Sequence, residues 1–503
     1  MMNPLPPVSK NPTQINSLIQ PPFLVVWNWI VLLGAFAALF FLFTNGVPLV
    51  QLGILPELGG KTRYVNLVRI SVPVFSVLML LIYWKLPAVF NQLWVVRFTR
   101  ALLRTPLWVI LTLLSVGYAV MMSTSCILLT RGLVAGFDLG IFTQVLWNST
   151  QGDFLFTSLK GEWGICYLGD HVSPLLAVLV LLYRLIPDPQ MLLILQAIAT
   201  AGSIFLIGWI AKDKLQNNFA SVVFALLYFL NFDARRVLHC EFHPEVLVEP
   251  FMLLAFIFLE KKRLIGFLLS LAVMISAKEN MLGISFMMGF YAFAFKQWKA
   301  VGAAIMAFSV ALFLFEVKWV VPFFSHEPHF YGGFYRDLSN HPLGIFKTLL
   351  SKDSLVYVCK IFGPFLFLPF LNIPTLLLTF PILFQNLLSE NERLREFVYQ
   401  YTAGLTPFVF VAAIYGFYTL SQKFQGFSKR KELMACLLFL GLLFRPGPSE
   451  YFFLWNYLKL QTPHSNCQSS AQRTFGDAPD SDAGSGRKCP AESQSWKFES
   501  FLF

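Results

Sequence analysis

Four short segments of this sequence carry residues whose types and spacing could do chemistry. In GFDLGIFTQVLWNS, residues 136–149, Asp138 stands between Gly136 and Gly140. A carboxylate at a turn that glycine permits is placed to act as a base or a metal ligand. Asp is also a preferred helix N-cap, and an amphipathic stretch follows it, so capping is the plainer role, and the two can coexist. Gln144 in the same segment offers an amide for substrate binding. In GDHVSP, residues 169–174, Asp170 is followed by His171, an imidazole that titrates near neutrality and can shuttle protons or bind metal. Capping and an interfacial position are the alternative there.

The third segment, ARRVLHCEFHPE, residues 234–245, combines Arg235 and Arg236 with His239, Glu241, His243 and Glu245. Alternate residues of an extended segment share a face, so Glu241, His243 and Glu245 are candidates to hold one divalent metal ion. Their spacing matches no standard zinc signature, and a solvated loop with internal ion pairs competes with that reading. The fourth, SAKEN, residues 276–280, sets Lys278 and Glu279 close to bilayer depth. Ionisable groups are expensive there and are therefore functional candidates, unless the two neutralise each other. His326, His329, Arg336, Asp337, His341, Arg393 and Arg395 add weaker candidates for anion or sugar contacts.

The elements that must position these residues are membrane helices. The 503 residues are 56% hydrophobic and 13% charged, with 54 phenylalanines, against about a quarter charged in a soluble domain. Mean hydropathy is +0.63. Apolar runs recur at lengths near the roughly 20 residues needed to cross about 30 Å of hydrocarbon. The net charge of +11 is spread over short basic clusters between those runs, which reads as membrane topology and not as a nucleic-acid surface. Seven cysteines without CxxC pairs imply neither a zinc site nor a disulfide framework. The expected fold is all-α and polytopic, with about 11–13 transmembrane helices and a large first extracytoplasmic loop.

Basic loops set the expected sidedness. Lys85, Arg97, Arg100 and Arg104 place the second connection in the cytoplasm, and so do Lys212 with Lys214, Lys261 to Arg263, Lys296 with Lys299, and Lys429 to Lys431. The four chemical segments then all fall on the extracytoplasmic side, although they took no part in the assignment. Expected spans include Phe23–Thr44, Arg69–Lys85, Pro106–Thr130, Met191–Ala211, Phe219–Leu230, Val246–Leu259, Leu264–Ala277, Met281–Phe295, Ala300–Phe324, Val356–Phe370, Thr375–Leu388 and Leu405–Leu420, with a last run from Leu433. Pro174–Ile186 is too short to span and reads as interfacial or as half of a broken helix. Residues 1–22 read as a cytoplasmic tail, 23–460 as the membrane domain, and 461–503 as a polar, disordered end that is native or frameshifted.

GFDLGIFTQVLW, GDHVSPLL, EFHPE and AKEN, in this order and spacing, resemble the bacterial membrane family called domain of unknown function 2079, over roughly Val120 to Tyr415. QYTAGLTPFVF, residues 400–410, is similar to another of its segments. That family in turn resembles the C-type glycosyltransferase superfamily, whose enzymes take a sugar from a polyprenyl-phosphate carrier. The resemblance implies a bacterial inner membrane location and an acidic catalytic residue in the first large outer loop, which maps here onto Asp138. His171, Val172, Ser173 and Pro174 resemble an element that follows that loop in related transferases. Asp138 is then the base, with Asp170 and His171 beside it. Lys278 with Arg235 or Arg236 faces the lipid phosphate, Glu279 and Gln144 contact substrate, and Glu241, Glu245 and His243 hold a metal or orient the sugar. The implied partners are the bilayer, a polyprenyl-phosphate sugar and an extracytoplasmic acceptor, with no nucleic acid. A transporter or lipid-carrier flippase, and an inactive membrane scaffold, are the competing readings.

Overall fold

The computed structural model describes residues 105–131, 136–161, 164–239, 241–325, 344–397 and 399–423. Helix α1 (Leu107–Arg131) follows Pro106, whose carbonyl accepts the Val109 N–H at 2.9 Å. After it comes α2 (Phe137–Gln151), which stops at Gly152 with φ 112°, a left-handed end that glycine takes without strain. Two-residue strands β1 (Phe156–Thr157) and β2 (Ile165–Cys166) pair antiparallel. Then follow α3 (Leu175–Leu185), α4 (Gln190–Leu215) and α5 (Asn218–Phe229), the last capped by the Asn217 side chain. A polar stretch holds α6 (Phe232–His239) and the single turn α7 (Pro244–Leu247). Beyond it lie α8 (Glu249–Glu260), α9 (Leu264–Ile275) and α10 (Met281–Phe295). Helix α11 (Lys299–Phe315) continues through a π-helical turn, Glu316–Val320, into α12 (Val321–Ser325). The remaining helices are α13 (Gly344–Leu349), α14 (Lys352–Phe362), α15 (Ile373–Leu376), α16 (Phe380–Leu388) and α17 (Thr406–Lys423).

The described residues are thus almost entirely helical, as expected of an all-α membrane protein. Among the described residues three stretches are long and apolar enough to cross a bilayer: Leu107–Thr130, Gln190–Leu215 and Lys299–Ser325. Leu175–Leu185, Leu264–Ile275, Met281–Phe295 and Ile373–Leu388 are shorter apolar helices. Several of the expected spans that fall among the described residues form helices shorter than a full crossing. In α5, Phe219 to Ala225 are buried on every side, as a largely apolar helix inside a bundle is. Val356–Phe370, expected as one span, breaks after α14 at Gly363-Pro364 and again at Pro369, with Leu366 and Phe367 both at positive φ. The expected spans Phe23–Thr44 and Arg69–Lys85, the run from Leu433, the tails 1–22 and 461–503, and the candidates His326, His329, Arg336, Asp337 and His341 lie outside the described residues.

Helix α17 is the axis of the bundle: Thr406 to Phe417 are all buried, and it packs against α4, α5 and α8. Tyr228 and Phe410 meet with ring centroids 4.7 Å apart. Helix α4 sets the height. Gln196 near its start bonds the carbonyls of Leu238 and Glu241, whereas Lys214 lies in its last turn. At about 1.5 Å per residue those two side chains stand about 27 Å apart along the axis, close to the thickness of a hydrocarbon layer. The chemical segments sit at the first of these ends and the basic turns at the other.

Helices α10 and α11 approach through glycine. A Cβ on Gly302 would stand 2.5 Å from the Gly289 carbonyl oxygen and 2.6 Å from the Phe293 nitrogen. Small residues allow such backbone contact between membrane helices. Gly302→Leu is therefore expected to cost about 1–3 kcal/mol by overpacking, read as a lowered unfolding temperature in detergent. Gly117→Leu, where nothing lies within 4 Å of the added Cβ, is expected to leave it unchanged.

Candidate functional site

Helix α2 presents its N-terminus to the segment between α6 and α8. Glu241 takes φ 68°, a left-handed turn, and its carbonyl is held by Gln196 Nε2 at 2.8 Å. The Glu241 carboxylate accepts the Leu139 N–H at 2.7 Å. A carboxylate is favoured there because the first N–H groups of a helix lack partners and carry partial positive charge. Asp138, in the first turn, is not the cap: Gly136 occupies that position and makes no side-chain cap bond. The Asp138 carboxylate turns instead to His243, with Oδ2 3.3 Å from Nε2. His243 is buried, and its Nδ1 has no hydrogen-bond partner among the described residues. The Asp138 side chain is 39% exposed. Partial burial pushes its carboxyl up, but the His243 hydrogen bond and the charges of His243, Lys160 and Lys278 outweigh this and hold it below the ordinary carboxylate range.

The charged SAKEN residues each reach a partner elsewhere in the chain. Lys278 Nζ lies 2.9 Å from Glu245 Oε1, whereas Glu279 turns away to accept from His171 Nδ1 at 2.8 Å and from the Val172 N–H at 3.1 Å. Burial raises the Glu245 carboxyl, and the charges of Lys278 and His243 with the local hydrogen bonds bring it below its usual range. His171 is buried against a carboxylate brought from just before α10. Asp170 pairs with Lys160 at 3.0 Å.

The predicted metal face does not form. Its segment is not extended throughout, since Glu241 turns left-handed and Pro244 begins α7. Glu241, His243 and Glu245 each go to a different partner, and among the described residues no three His, Cys, Asp or Glu side chains are placed to hold a metal ion. The donor set does not fit a resident divalent ion.

Four further candidates, Arg235, Arg236, Gln144 and Arg395, have partners of their own. The charges of Arg235 and Arg236 bear on His239, and Asp138 is governed by His243, Lys160 and Lys278. Burial and the two arginines push His239 down to about 3, so its imidazole is neutral at ordinary pH, 3.0 Å from Ser125 Oγ. Gln144 accepts from Thr157 Oγ1 at 2.7 Å and the Ser158 N–H at 3.0 Å, and donates to Ser158 Oγ at 2.8 Å, so both ends of its amide fasten the β1 turn to α2. Arg395 bonds the Ser389 carbonyl at 2.8 Å.

Sequence reasoning missed Lys160 and Glu316. Glu316 opens the π-helical turn, is 5% exposed, interacts electrostatically with Glu279, and has an Oε2 without a hydrogen-bond partner among the described residues. An acidic residue inside the apolar run 300–324 was the available signal. Lys160 carried none, being one lysine in a polar loop.

Residues 129–467 match the model of a family described as Predicted membrane protein (DUF2079). The chain belongs to this family. In this DUF2079 protein the match takes in all four chemical segments and runs past the expected end near Tyr415 to residue 467. No curated protein and no solved structure matches the chain.

The Lys278–Glu245 pair gives a test of the site's electrostatics. Its side chains are 14% and 8% exposed, so Lys278→Ala leaves a buried carboxylate uncompensated and is expected to cost about 3–5 kcal/mol at pH 7. Pairing Glu245→Gln with Lys278→Met should restore most of it. The folded-state values of Glu245 and Asp138 are depressed, so the stability they contribute is present above the unfolded carboxyl value near pH ~4 and lost as pH falls through the folded values. The Lys278→Ala penalty should accordingly shrink on acidification, measured by unfolding in detergent from pH 7 to pH 3.

Proposed function

We propose that this membrane protein transfers a sugar from a polyprenyl-phosphate carrier to an extracytoplasmic acceptor, with Asp138 as the base. One observation carries the reading: a part-exposed carboxylate, kept ionised by His243, Lys160 and Lys278, stands at one end of a bundle of membrane helices. A base must be ionised, and it must reach the acceptor. Asp138 Oδ2 leans on His243, and its other oxygen makes no hydrogen bond among the described residues.

In the proposed step the acceptor hydroxyl gives its proton to Asp138 as its oxygen bonds the anomeric carbon. The bond from that carbon to the phosphate oxygen breaks, and the electron pair leaves with the lipid phosphate. Negative charge thus grows on the phosphate, where cations lower the barrier. Lys278 and Lys160 are the cations whose charges already bear on Asp138. His171, fixed by Glu279, lines the same end from the loop before α3. The arginines take no part in this scheme, and no metal is required by it.

One observation favours the transport reading. Glu316 is a buried carboxylate at a π-helical turn inside a candidate span, and both features recur along ion and substrate pathways. Counterflow of labelled substrate into vesicles without formation of a glycosidic bond would replace the transferase reading.

The test is incubation of the purified full-length protein with a panel of polyprenyl-phosphate sugars, measuring sugar transfer or release. Asp138→Asn is expected to lower the rate by about 100-fold or more, as loss of a general base does, with membrane insertion unchanged. Full transfer by a well-inserted Asp138→Asn protein would remove Asp138 as the base.

A further inference from the structure

Among the described residues, the end of the bundle remote from Asp138 carries more positive than negative charge. Glu260 at the end of α8 accepts from Tyr291 at 2.8 Å and Tyr415 at 2.8 Å and pairs with Lys296 at 2.7 Å, so one acid ties α8, α10 and α17 together. Asp213 reaches Lys261 only at 3.8 Å, with both side chains widely exposed. Lys214 lies over the rings of Tyr415 and Tyr418, 4.3 and 4.4 Å from their centroids. Among the described residues Lys212, Lys214, Lys262, Arg263 and Lys299 form no ion pair with a carboxylate.

The turn between α8 and α9 joins this charge to hydrocarbon-like surface. Lys262 and Arg263 are exposed, and the next turns of α9 expose Ile265 at 77% and Leu269 at 65%. Lys261, beside them, lies 4.4 Å over the ring of Trp209, a residue type that settles at headgroup depth. A soluble anion has no use for the apolar wall, and a bare acyl chain has none for the cations. An amphiphile with a phosphate head uses both.

We infer that the α8–α9 turn binds the phosphate headgroup of an anionic membrane phospholipid, with its acyl chains along the exposed face of α9. Lys262 and Arg263 contact the phosphate, Trp209 with Lys261 marks the headgroup level, and Ile265 and Leu269 meet the chains. This site is separate from Asp138 and stands whether or not the protein transfers sugar.

The test takes full-length protein in mixed micelles holding equal phosphatidylglycerol and phosphatidylcholine, with bound lipid counted by native mass spectrometry. Wild type is expected to retain phosphatidylglycerol about thirtyfold over phosphatidylcholine, since each cation near a lipid surface is worth about fivefold, and Lys262→Gln with Arg263→Gln to bring the ratio near one. Equal retention of the two lipids by wild type overturns the site without reference to any variant. An unchanged excess in the double variant overturns it too. Removal of the excess by stoichiometric inorganic pyrophosphate would show that a free anion, and not a lipid, is the occupant.

Discussion

The Glu241 carboxylate on the Leu139 N–H is the contact from which the site is built. It sets a negative charge against the N-terminus of α2, where unpaired amides and the helix dipole favour it. It also fastens the first polar loop to the segment between α6 and α8. With Glu241 turned left-handed and its carbonyl held by Gln196, the chain reverses there and brings His243 back beneath Asp138. Asp138 is thereby spared capping duty: a carboxylate from elsewhere does that work, and its own oxygens are directed to imidazole and solvent.

A second constraint is charge balance in a partly dry place. Glu245 and Glu279 are each buried, and each carboxylate needs a donor or a cation. The adjacent residues Lys278 and Glu279 meet that need by parting, one to Glu245 and the other to His171. This split draws the α6–α8 segment, the start of α10 and the start of α3 into one cluster. Gly169 completes the closure, since a Cβ there would stand 2.7 Å from the Ser325 nitrogen, so the end of α12 rests directly on the loop before His171.

Several parts of this arrangement were readable from residues alone. The membrane class follows from apolar runs and scarce charge, which no soluble core can accommodate. The gathering of acid and imidazole segments at one end follows from alternating basic and acidic loops, because each helix that crosses exchanges one kind of loop for the other. Asp138, His243, Lys278 and His171 stood out as ionisable groups beside apolar runs. Gln144 was a candidate for its amide, and both ends of that amide hold the β1 turn, since residue type does not reveal whether a polar group is already spoken for. Glu316 was passed over although an acid inside an apolar run marked it, and Lys160 because one lysine in a polar loop carries no mark.

The sequence by itself determined that the chain is helical, that it belongs in a bilayer, and which loops hold titratable groups, because these depend on composition and local periodicity. Only the tertiary structure decided which carboxylate meets which cation: Glu241 with the α2 N-terminus, His243 with Asp138, Lys278 with Glu245, Glu279 with His171. Those pairings depend on positive φ at a single residue and on helices that meet across a hundred positions of chain. A short-range pattern holds no record of either.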